Sequence, residues 1–134
     1  MTINPSTSIA IQLKDFHRVR SILESALKDP EYNKQLPTLN ITYPNGALEF
    51  ELNTDGLFID LEYDVAFSAT RRAGGSDQYH NHEYFTEINA VSWGIKITEI
   101  SENWEPFNFT KNQIKVLESL IVEHLNSTVY IENP

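Results

Sequence analysis

The chain has 134 residues, no cysteine, and a formal net charge of −9 with a pI near 4.8. That length suits one domain able to bury very roughly two thirds of its unfolded surface. The missing cysteines exclude disulfides and thiolate metal sites, and the negative charge opposes non-specific contact with nucleic acid or with an anionic membrane.

The first eight residues are polar and are expected to be flexible. They contain neither a basic region nor an apolar run, and no stretch of the chain approaches the ~20 apolar residues that span a bilayer, so a cytoplasmic location is expected. Ile9, Ile11 and Leu13 alternate, which predicts a short strand or an extended lead-in. From Asp15 the period becomes helical: Phe16, Val19, Leu23, Ala26 and Leu27 share one face, and Asp29-Pro30 ends the helix because proline disfavours the helical conformation of the residue before it.

Three alternating segments follow. Leu39, Ile41 and Tyr43 predict one strand, Leu48, Phe50 and Leu52 a second, and the run from Leu57 to Phe67 a third. Matching the apolar faces pairs Tyr43 with Leu48 across the loop Pro44-Asn45-Gly46-Ala47. It also pairs Phe50 with Ile59 and Leu48 with Leu61 across Asn53-Thr54-Asp55-Gly56. Thr86–Ile100 carries the fourth strand, with Val91, Trp93, Ile95 and Ile97 on one side; the same matching sets Ile59 opposite Ile97 and Tyr63 opposite Trp93. Residues 68–85 between these strands are expected to form a long polar hairpin tip. The segment around Trp104 is expected to be an aromatic lid on the core.

The last helix has the sharpest start signal. Thr110 and Gln113 have capping-box spacing, and Phe109 and Ile114 are placed as a hydrophobic staple. Ile114, Leu117, Ile121 and Leu125 then recur at helical spacing, Asn126 is a suitable C-cap, and Thr128–Ile131 alternates as a further short strand. These elements predict a two-layer α+β domain: a four-stranded antiparallel meander with an N-terminal and a C-terminal helix packed on one face.

The charge distribution is more telling than its total. No Lys or Arg lies between Gln35 and Thr70, while Glu49, Glu51, Asp60, Glu62 and Asp64 fall on the solvent side of the predicted strands. The predicted register sets Glu49 opposite Asp60 and Asp60 opposite Lys96. Carboxylates at alternating strand positions are ~7 Å apart, which makes a charge array rather than a converging cation cage. In the tip, Arg72, Tyr79 and Tyr84 are residue types favoured at binding hot spots. His80 and His82, with Asp77 or Glu83, form the alternative of a metal site in a metal-binding protein or metal-dependent enzyme. No phosphate-binding loop, nucleophile elbow or His-Glu-x-x-His is present.

The strand Leu61-Glu-Tyr-Asp-Val65, the Arg- and Tyr-bearing tip, Thr86-Glu-Ile-Asn-Ala-Val91 and Ile95-Lys-Ile97 together resemble the hairpin of small α+β proteins encoded by phages and other mobile elements. The resemblance spans Leu57 to Ile100 and carries no catalytic residues. It implies an accessory or inhibitory role. The reading that follows is a non-enzymatic, acidic protein-interaction domain without a cofactor, docking a basic macromolecular surface rather than nucleic acid or membrane. The other class considered is a structural homo-oligomer subunit.

Overall fold

A computed structural model of the chain describes residues 5–40, 42–52, 56–74 and 83–127; the side chains of residues 5–8, 72–74 and 83–86 are not described. It is an α+β fold. Helix α1 (Pro5–Lys28) leads through a single helical turn, α2 (Pro30–Asn33), into strands β1 (Asn45–Glu51), β2 (Leu57–Gly74), β3 (Glu83–Glu102) and β4 (Glu105–Pro106), and helix α3 (Lys111–Ser127) closes the described chain. The four strands form one antiparallel sheet in the order β1-β2-β3-β4.

Helix α1 starts ten residues before the expected position. Proline fits the first helical turn, where its missing N–H costs no hydrogen bond, and Ile9, Leu13 and Phe16 continue the helical spacing of Val19 and Leu23. The apparent alternation of Ile9, Ile11 and Leu13 therefore marks no strand. These three side chains remain substantially exposed. At the other end, Asp29 caps α2, its carboxylate accepting from the Glu31 N–H at 3.0 Å.

The strand expected at Leu39–Tyr43 does not form among the described residues of that segment; Ile41 lies outside them. Asn40 supplies the reason. Its side-chain oxygen accepts from the Thr42 N–H at 2.9 Å and the Tyr43 N–H at 3.4 Å, capturing donors that a ladder would need. The predicted loop residues Asn45, Gly46 and Ala47 instead begin β1, and the fourth strand of the sheet is the short β4. The β1–β2 register is as expected, with Phe50 opposite Ile59, Leu48 opposite Leu61 and Glu49 opposite Asp60.

The β2–β3 register keeps the expected faces but is displaced, by three residues at Ile59 and by two from Leu61 to Val65. Leu61 faces Ile97, Tyr63 faces Ile95, Val65 faces Trp93, and Ile59 faces Ile100. A bulge between Asp60 and Leu61, where Thr98 is the extra residue on β3, takes up the one-residue difference between these displacements. Its hydroxyl donates to the Asp60 carbonyl at 3.1 Å. A second bulge follows Ser68, with Asn89 as the extra residue, bonded through its side-chain amide to Thr70. The hairpin is also longer than expected, since residues 68–74 and 83–85 belong to the strands rather than the tip.

One contiguous core joins the layers. Phe16, Val19, Leu23 and Leu27 from α1 and Leu117, Ile121 and Leu125 from α3 pack with Phe50, Ile59, Leu61, Val65, Trp93, Ile97 and Ile100 on the inner sheet face. Helix α3 begins as predicted: the Thr110 hydroxyl accepts from the Gln113 N–H at 3.2 Å, and Gln113 accepts from the Thr110 N–H at 2.9 Å. The strand expected at Thr128–Ile131 lies outside the described residues. No helix among the described residues is long and apolar enough to cross a membrane.

Candidate functional site

The outer face of the sheet follows from the period of two. Side chains alternate across a strand, so the residues between the buried Phe50, Ile59, Leu61 and Val65 must point away from the helices. These are Glu49, Glu51, Asp60, Glu62 and Asp64. Glu49, Glu62 and Asp64 are exposed, and Glu51 and Asp60 are half-buried.

The bulge at Thr98 decides which charges meet. Asp60 is opposite Glu99, not Lys96; Lys96 is opposite Glu62. Thr98 and Glu99 both face solvent between the buried Ile97 and Ile100. Glu49, Asp60 and Glu99 therefore form a row of three carboxylates running straight across β1, β2 and β3. Neighbouring strands lie ~4.8 Å apart, so no cation separates the members of this row. Lys96 stands in the next row along the strands instead, opposite Glu62. Glu99 had no signal in the alternation, because the bulge that exposes it inserts a residue with no mark in the sequence.

Beyond Lys96 the face dips. Ala47 and Gly94 lack bulk there, and with Glu62, Asp64 and Lys96 they border a shallow depression of about 710 Å³. Asp64 is opposite Gly94, and its carboxylate lies over the glycine, in space that any side chain at position 94 would fill. The depression is thus polar at its rim and open to solvent.

The predicted tip anchors are only partly placed. Arg72 lies on β2 opposite Phe85, and Tyr84 lies on β3 opposite Ala73, with side chains not described. Tyr79, and the His80, His82 and Asp77 of the alternative metal site, lie outside the described residues, while Glu83 is the first residue of β3. Among the described residues no group of three or more His, Asp or Glu side chains is arranged to hold a metal ion. The carboxylate row is spread across three strands rather than converging on a point.

The turn between β3 and β4 was missed as a feature. Trp104 is 93% exposed, so it is not a lid on the core. Asn103 and Trp104 both have positive φ, 52° and 71°, as a tight two-residue hairpin turn requires. The base of this turn is held by Arg18, whose guanidinium donates to both Glu102 carboxylate oxygens at 2.7 and 2.8 Å. That hydrogen-bonded pairing holds Glu102 below the usual carboxylate range and raises Arg18. On α3, burial lowers the pKa of His124.

Comparison with protein-family models, with characterised proteins and with solved structures finds no match to this chain.

Proposed function

We propose that this protein is a non-enzymatic, acidic interaction domain that docks a basic macromolecular surface with the outer face of its sheet. The observation that carries the reading is the unbroken row Glu49–Asp60–Glu99, flanked by Glu51, Glu62 and Asp64 and covered by neither helix. Opposed like charges on adjacent strands oppose folding by some tenths of a kcal/mol or more per pair. A surface needed only for solubility could place these carboxylates apart, next to Lys or Thr, without that cost.

The partner class follows from the charge. A nuclease, a toxin or another DNA-binding protein presents Arg and Lys arrayed for phosphates, and the carboxylates of this face would occupy the place of those phosphates. Such attraction speeds encounter and selects the partner, and it weakens as salt shortens the range of the field.

The test is capture from a native lysate at low and at high salt by the wild-type chain and by a Glu49→Gln/Asp60→Asn/Glu99→Gln variant. Basic proteins retained by the wild type at low salt, released at high salt and not retained by the variant support the reading. Equal retention by both chains would remove its basis.

A further inference from the structure

The edge of β3 away from β2 is closed at its C-terminal end. β4 pairs with Ser101 and Glu102, the Phe107 N–H donates to the Ile100 carbonyl at 2.8 Å, and the Glu118 carboxylate accepts from the Ile97 N–H at 2.8 Å. In an antiparallel ladder, successive residues point their N–H and C=O groups to alternate sides. Ile95, Trp93 and Val91 share the phase of Ile97, so their backbone groups point out of the sheet, away from β2. Val65 fixes that phase independently: it faces Trp93, and its own N–H donates to Pro44 on the other side of β2. Among the described residues no backbone group meets Val91, Trp93 or Ile95 along this edge.

Helix α3 passes beside the same edge. Phe107, before the helix, is level with Ile100, and Glu118 is level with Ile97, so α3 runs opposite to β3. At ~1.5 Å per helical residue and ~3.3 Å per strand residue, Ser127 comes level with Trp93. Ile88 lies four ladder positions further on, roughly 13 Å past the helix end. It is only 5% exposed, yet it stands outside the core that the helices make with the sheet, and Ala69 opposite it is itself exposed. A layer beyond the end of α3 must cover it. Level with that end, the Trp93 indole N–H is buried without an acceptor, and buried donors are nearly always paired.

We infer that residues 128–131 add a fifth strand to this edge, antiparallel to β3, with Val129 and Ile131 turned to the inner face. The chain leaves α3 already travelling opposite to β3, so no reversing loop is needed. Four extended residues at ~3.3 Å carry it ~13 Å beyond Ser127, to the level of Ile88. Thr128, Val129, Tyr130 and Ile131 alternate, which sets the two aliphatic side chains on one side. There they supply the cover of Ile88, and the backbone between them brings acceptors to the Val91 N–H and to the Trp93 indole. A bare edge of this length invites pairing with another chain. The C-terminal segment therefore keeps β3 from associating edge to edge.

Amide hydrogen exchange of the full chain, read residue by residue by NMR, tests this. The Val91 N–H should exchange slowly although it points away from β2. A Val129→Pro/Tyr130→Pro variant removes a ladder donor in either register. In it the Val91 N–H should exchange at least about tenfold faster, while the Leu61 N–H, held in the β1–β2 ladder opposite Leu48, keeps its rate and reports an intact fold. Ile131→Asp sets a charge against Ile88 without removing a backbone donor; it should speed Val91 exchange too, and Ile131→Val should not. A Val91 N–H that exchanges freely in the wild-type chain overturns the inference. Slow exchange that neither the double proline variant nor Ile131→Asp changes overturns it as well, since another element would then cover the edge.

Discussion

The side-chain amide of Gln35 bonds both backbone groups of Glu51: its oxygen accepts from the Glu51 N–H and its nitrogen donates to the Glu51 carbonyl, each at 2.9 Å. Glu51 ends β1, which is an edge of the sheet. The amide thus imitates the next strand and closes that end of the edge to a neighbour. The β3 side has a counterpart, where the Glu118 carboxylate on α3 accepts from the Ile97 N–H at 2.8 Å.

Gln35→Ala removes two half-buried hydrogen bonds and a third to the Tyr32 carbonyl. A loss of about 1–3 kcal/mol in unfolding free energy is expected from urea titration. Gln35→Glu keeps the acceptor but loses the donor, and it should fall between Ala and wild type. A Gln35→Ala chain as stable as wild type would mean that water replaces the amide at no cost.

Two glycines make opposite demands. Gly56 has φ +75°, with Asn103 Oδ1 only 3.0 Å from where a Cβ would stand. Gly56→Ala is therefore strained by the backbone itself and should cost about 1–2 kcal/mol. At Gly94 the obstacle is the Asp64 carboxylate, the far end of an exposed side chain that can swing away. Gly94→Ala should cost less than about 1 kcal/mol, and Asp64→Ala in the same chain should erase that cost. Thermal unfolding of the three variants gives the order directly.

The pH dependence of stability has two named contributors, and both act in the same direction. Glu102 has a lowered pKa because Arg18 bonds its ionised form. Its stabilisation is fully present above the unfolded carboxylate pKa of ~4.3 and is lost as pH falls through the lowered folded value. The pair is partly exposed, so the contribution stays below about 1 kcal/mol. His124 has a lowered pKa because burial opposes its charged form. Its contribution is present above the unfolded value of ~6.5 and falls as pH drops through the lowered folded value. Urea midpoints should decline between pH 7 and 5, and His124→Gln should flatten that decline. Glu102→Gln should flatten only the steeper loss below pH 4.5.

The elements read most reliably from the sequence were those whose burial is one-sided and uninterrupted. Phe50, Ile59 and Leu61 fix the β1–β2 register, because any one-residue slip would expose all three. The Thr110–Gln113 box sets the start of α3 through local bonds alone. The misread elements each depend on a contact that leaves no periodic trace. Asn40 diverts the backbone donors of a segment whose pattern reads as a strand, and Thr98 adds one residue to β3 and moves every pairing beyond it. The five carboxylates of β1 and β2 were legible as one face. Their partners across β3 were not, and the row through Glu99 became visible only with the bulge. Trp104 looked like core because aromatic residues before a helix usually are; its left-handed backbone turns it outward.

The row itself makes the last prediction. Asp60 is the register partner of both Glu49 and Glu99, so Asp60→Asn relieves two unfavourable contacts at once. It should stabilise the fold by some tenths to about 1 kcal/mol at low ionic strength, more than Glu49→Gln or Glu99→Gln alone. The Thr98 hydroxyl bonds the Asp60 backbone, so that contact survives the change. Added salt should shrink the gain, since these charges are ~5 Å apart and the screening length falls from ~30 Å at 0.01 M to ~3 Å at 1 M. The same variant should bind a basic partner more weakly. A chain that gains stability while losing its partner would mean that the carboxylates are kept against the interest of the fold. Melting curves at low and high salt decide the first half: if Asp60→Asn brings no gain at low salt, the three carboxylates do not share a field, and the acidic face loses its claim to a function.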